Sequence, residues 1–127
     1  MKYALKCSPF DNYILIRIEG TWTPENGQDI INDIYNLTVK HNSLPLLLDI
    51  LDMESDPSVM TDYDDVQGFV DTGFRFIDHI AVLDNIIHKD NNDFFENAAY
   101  NRGITIRFFY SGKEEALKWL LSRGKSL

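Results

Sequence analysis

The chain has 127 residues, 44% of them hydrophobic and 13% aromatic, and twenty acidic against twelve basic side chains leave a formal net charge of −8. That length suits one domain, 1–127, able to bury a single core without staples, and the composition excludes a disordered chain. An acidic surface repels phosphate backbones and anionic headgroups, which argues against nucleic acid as a partner. The Arg123–Lys125 tail is too short to form a basic patch.

The lone cysteine, Cys7, cannot close an internal disulfide and reads as a small buried hydrophobe of the first strand, which fits a reducing compartment. The opening residues 1–6 lack the apolar core of a signal peptide, and no apolar run approaches the ~20 residues that cross a bilayer. A cytoplasmic protein is expected. The glycosylation sequon at Asn36 falls inside a predicted helix and carries no meaning there.

Tyr3, Leu5 and Cys7 alternate with Ala4 and Lys6 as on a half-buried strand. After turn residues 9–12, Ile14, Ile16 and Ile18 place one face of a second strand, and the short connection implies an antiparallel hairpin. Thr23 and Pro24 read as the N-cap and first residue of a helix whose stripe is Ile30, Ile31, Ile34, Leu37 and His41. From Leu44 to Leu51 the chain is apolar except for Asp49, the mark of a central parallel strand covered on both faces.

The acidic loop Asp52–Asp56 and Pro57 come next, then a helix from Thr61, with Asp64 completing a capping box and Val66, Phe69, Val70, Gly73 and Phe74 facing inward. His79–Asp84 is a second central strand. A loop through Ile86, Ile87 and His88 leads to a helix over 91–101 that buries Phe94, Phe95, Ala98 and Ala99, with Gly103 ending it in the left-handed conformation. Ile104, Ile106 and Phe108 alternate with Thr105, Arg107 and Phe109 as an edge strand. Ser111 and Glu114 box the start of a last helix that buries Ala116, Leu117, Leu120 and Leu121, and Gly124 closes it. The order β-β-α-β-α-β-α-β-α predicts an α/β fold with a five-stranded, mostly parallel sheet and an antiparallel N-terminal strand.

With that order, the stretches Asp65-Val66-Gln67-Gly68, Phe76 to Asp84, Ile106-Arg107-Phe108-Phe109 and Glu115 to Leu120 make the chain resemble the SpoIIAA-like group of the STAS superfamily (sulfate transporter and anti-sigma-factor antagonist domains). The likeness spans nearly the whole chain and rests on core and capping residues. It implies a β/α superhelix with strands in roughly sequential order, and regulation through a bound protein or small ligand instead of a shared catalytic mechanism. Antagonists of that family carry a phosphorylatable serine in an Asp-Ser-Ser-Gly-like turn. Here the segment runs from Asp52 to Met60 without a Ser-Gly pair, so Ser58 is a weak phosphorylation candidate beside a plain capping role.

No Gly-x-Ser-x-Gly elbow, His-Glu-x-x-His or Cys-x-x-Cys motif is present. Asp52, Glu54 and Asp56 alternate as in a calcium loop, but Pro57 replaces the turn glycine and Tyr63 the bidentate acid, so no metal is assigned. No cofactor is expected. Open parallel sheets bind ligands beyond the carboxyl ends of their strands, and that edge gathers the candidate ligand-binding residues Trp22, Asp52, Glu54, Asp84 and His88, with Tyr110 nearby.

Three functional readings stand: a non-enzymatic regulatory or protein-interaction domain; a carrier of a small apolar or lipidic ligand, suggested by Phe69, Phe74, Phe76, Phe94 and Phe95; and an enzyme using Asp84 and His88 as an acid/base pair. Helices along one sheet face would leave the other partly bare and open to a homodimer.

Overall fold

The structure, a computed structural model, describes residues 3–23, 25–55, 63–74 and 79–123, without the side chains of 55, 63–66 and 123. Strands β1 (Tyr3–Pro9) and β2 (Ile14–Trp22) precede helix α1 (Gly27–Lys40), then β3 (Leu46–Asp49) and β4 (Met53–Ser55) precede α2 (Tyr63–Thr72). Next come β5 (Ile80–Leu83), a 3₁₀ turn (Ile86–His88), α3 (Lys89–Tyr100), β6 (Ile106–Phe109) and α4 (Lys113–Arg123). The sheet runs β1-β2-β3-β5-β6, β1 antiparallel to β2 and the other pairs parallel. The mixed sheet and sequential strand order are those expected.

Strand β4 is an addition. The nine residues of β2 outlast the four of β3, which pairs only with Ile14–Arg17. Unpaired backbone at Gly20–Trp22 needs hydrogen-bonding partners, and β4 supplies them in parallel register, Gly20 against Met53 and Trp22 against Ser55. The stretch read as an acidic loop therefore begins as a strand. Gly20 holds a φ of +115°, which admits no side chain without strain.

The period-2 pattern divides the core between two faces. Ile14, Ile16 and Ile18 of β2, with Leu46, Leu48, Ile80, Val82, Ile106 and Phe108, pack under α1, α2 and α3 through Ile30, Ile31, Ile34, Phe69, Phe74, Phe95 and Ala99. Each such side chain, fully buried, contributes roughly 1.5–3 kcal/mol. On the opposite face Leu47, Ala81, Leu83 and Phe109 pack with Ala116 and Leu120 of α4. That face is thus not bare over β3, β5 and β6. Beyond α4 it carries charge, with Lys6 on Glu19 at 3.3 Å and Arg17 on Asp52.

Several local readings shift. Thr23 and Asn26 exchange bonds, Asn26 N–H to Thr23 Oγ1 at 3.2 Å and Thr23 N–H to Asn26 Oδ1 at 2.8 Å, closing a turn before a helix that begins at Gly27. Gly112, at φ +123°, takes the cap position of α4, so Ser111 bonds Glu115 and not Glu114. Phe94 is exposed, while Phe95 and Ala99 are buried as expected. Cys7 is half-buried against the core. Gly103 does end α3, at φ +86°, with Ile104 N–H bonding Ala99 O at 3.0 Å. Pro24, Thr61 and Gly124 lie outside the described residues, as does the inward placement of Val66.

Candidate functional site at the ends of the parallel strands

Strand β5 ends where Asp84 N–H bonds Phe109 O of β6 at 3.1 Å, and the next step turns the Asp84 side chain into the junction with α3. Asp84 is 3% exposed. A carboxylate so enclosed needs several donors, and three converge. Oδ1 accepts the Asn85 N–H at 2.7 Å and meets His88 Nδ1 at 3.0 Å, and Oδ2 accepts Asn92 Nδ2 at 2.8 Å. A carboxylate only accepts, so His88 Nδ1 carries the proton of that bond. Asn85 in turn caps the 3₁₀ turn, its Oδ1 accepting the Ile87 N–H at 3.1 Å.

This lattice fixes a short turn whose outer side chains are apolar. Ile86 is 57% exposed and Ile87 76%. On the adjacent strand end, where Ile50 N–H bonds Leu83 O at 3.1 Å, Leu51 is also exposed. Asp49 ends β3 there and accepts the Leu51 N–H at 3.0 Å.

Asp84 and His88 are brought together. The other candidates stand apart from them. Trp22 is buried among Ile18, Ile34, Leu48 and Phe69, its indole N–H without a partner among the described residues. Asp52 ion-pairs with Arg17, whose guanidinium is held above its ordinary pKa first by that hydrogen bond. Glu54 is exposed on β4 opposite Thr21. Ser58 lies outside the described residues.

Asn92 is the member that sequence reasoning missed. It is fully buried, and the inner stripe of α3 runs through Asn92, Phe95 and Ala99. Counting only apolar residues found Phe95 and Ala99 but widened the stripe to Phe94 and Ala98 and passed over Asn92. The available signal was polar spacing, because Asp84, His88 and Asn92 recur every fourth residue.

The partners of the Asp84–His88 pair are asparagines, which supply neither nucleophile nor proton relay. Beneath Trp22 the crevice is filled, leaving only about 20 Å³ among side chains such as Phe69, Phe95 and Phe108. Beside it, along β6, lies an open cleft of about 610 Å³ lined by residues that include Lys89, Glu96, Arg107 and Tyr110. Burial pushes the Tyr110 phenol above its usual range. Among the described residues no group of three or more His, Cys, Asp or Glu is gathered to hold a metal ion, and no helix is long and apolar enough to cross a membrane.

No family model matches the sequence, and no curated protein does. Solved structures do match. An anti-sigma factor antagonist from Mycobacterium paratuberculosis superposes with a TM-score of 0.61 at 10% identity, covering 94% of this chain and 95% of that one. A DUF3478-family protein from Shewanella loihica with a SpoIIAA-like fold gives 0.60 at 15% identity, covering 93% of each. Nearly end to end, this chain is built on the SpoIIAA-like fold.

Proposed function

We propose that the chain is a non-enzymatic, cytoplasmic regulatory domain that docks another protein on the rim formed by Leu51, Ile86 and Ile87. The observation that carries the reading is the pinned turn. A soluble surface gains nothing from holding two isoleucines outward, yet Asp84, Asn85, His88 and Asn92 commit their hydrogen bonds to doing so. A rigid apolar rim loses little conformational entropy on association, which favours its use as an anchor. Asp52 and Glu54, exposed just after Leu51 in the chain, supply charge at that end of the interface. That one structure of this fold is an anti-sigma factor antagonist supports the regulatory part of the reading.

The test is capture of a stoichiometric partner from an extract of the native host by the wild type, Ile87→Ser and Leu51→Ser. Both variants should fold with stability within about 0.5 kcal/mol of wild type, as surface changes do, and lose the partner. Retention of the same partner by both variants would remove this rim from the interface.

A further inference from the structure

The outer edge of β6, which pairs with no strand among the described residues, carries a second inference, which does not depend on the docking rim and meets it only at Ile86. In the parallel register with β5, Ile80 N–H bonds Thr105 O and Asp84 N–H bonds Phe109 O. Peptide groups alternate along a strand, so those of Ile106 and Phe108 point away from the sheet. An unpaired edge of this kind is a template for another strand unless something covers it.

A side chain covers it here. Glu96 of α3 reaches over and accepts the Phe108 N–H on Oε2 at 3.2 Å, standing where the carbonyl of a neighbouring strand would stand. The carboxyl is half-buried there, and burial raises its pKa above the ordinary value of 4.5. Between α3 and β6 the cleft of about 610 Å³ stays open along the same edge.

We infer that this edge accepts an extended segment of a partner protein bearing lysine or arginine, whose backbone replaces Glu96 at Phe108. The cleft itself selects the charge. Asp93, Glu96 and Glu115 line it against Lys89 and Arg107, and Lys89 is already bound to Asp93 at 2.7 Å. Arg107 lies over the Phe109 ring, 5.4 Å from its centroid. A freed Glu96 carboxylate then faces an incoming cation. A second copy of this chain is the poorer occupant, because pairing two such edges joins acidic clefts on chains of net charge −8.

The experiment titrates the isotope-labelled full chain, observed by NMR, with a synthetic octapeptide alternating lysine and valine. A control peptide carries N-methyl groups on alternate amides along the pairing side. The first peptide should shift the amides of Ile106, Phe108 and Tyr110, and the methylated one should not. Glu96→Ala and Glu96→Gln both remove the carboxylate charge, so the Ala variant, which also lacks the placeholder, should bind on the order of fivefold more tightly than the Gln variant, which keeps an acceptor at Phe108, the worth of one hydrogen bond. Three results overturn the inference: no shift at the edge in wild type, equal shifts from the methylated peptide, or a Glu96→Ala chain that dimerises through β6 and ignores the peptide.

Discussion

Two aspartates close neighbouring strands of this sheet and meet opposite fates. Asp49 ends β3, half-exposed, and accepts one backbone N–H, that of Leu51. Asp84, directly after β5, is sealed beneath α3 and accepts three donors, two of them side chains. The difference lies in the path of the chain beyond each strand. After Asp49 the chain bends back to the sheet as β4 and leaves the carboxylate near water. After Asp84 it turns directly into a helix that packs across the strand end, and burial there demands partners. The same residue type at neighbouring strand ends, one register step apart and so on opposite faces of the sheet, is a local turn former in one and the keystone of a hydrogen-bonded lattice in the other.

Removing each carboxylate sharpens the contrast most. Asp84→Ala strands the Asn92 amide and the His88 imidazole and should lower unfolding free energy by about 3 kcal/mol in urea titration. Asn92→Ala deletes one of the three donors and should cost about 1–2 kcal/mol by the same measurement. Asp49→Ala, losing one partly solvated bond, should cost less than about 1 kcal/mol. Equal losses at the two aspartates would break the comparison.

Smaller effects are legible in pH dependence. Burial raises the Glu96 carboxyl, so the folded state holds its proton to higher pH than the unfolded chain. Stability should therefore decline as pH rises from 4.5 through the raised value, a slope that Glu96→Gln removes. Tyr3 gives a surface counterpart. Its hydroxyl donates to Asp33 at 2.6 Å, and that bond, ahead of burial, lifts the phenol to about 12. The contribution is complete below pH 10 and disappears as pH rises through about 12. Tyr3→Phe should erase this alkaline dependence in denaturation midpoints by lowering the midpoint at neutral pH to the same extent, a small loss because solvent screens the bond.

Where hydrophobic periodicity carries the information, the fold was readable. Ile14, Ile16 and Ile18, the run at Leu46–Leu48 and Ile80–Leu83 all lie where their pattern places them. Strand β4 was not readable, because Met53 and Glu54 carry no strand pattern and become a strand only through the unpaired end of β2. Asp84 and His88 were legible as a pair from position alone. Their role was not, since it depends on Asn92, a polar residue on a buried helix face that apolar counting passes over. Phe94 misled for the complementary reason: an aromatic side chain is taken for core, and here it faces solvent.

Amide hydrogen exchange at Asn85 and Ile87, compared between wild type and Asp84→Ala, tests most directly whether the buried carboxylate holds the isoleucine turn in place. Exchange at both amides should be at least about tenfold faster in the variant, the equivalent of one lost hydrogen bond, while Ala81 and Val82 of β5 stay protected. Unchanged protection at Asn85 and Ile87 without the Asp84 carboxylate would contradict that role.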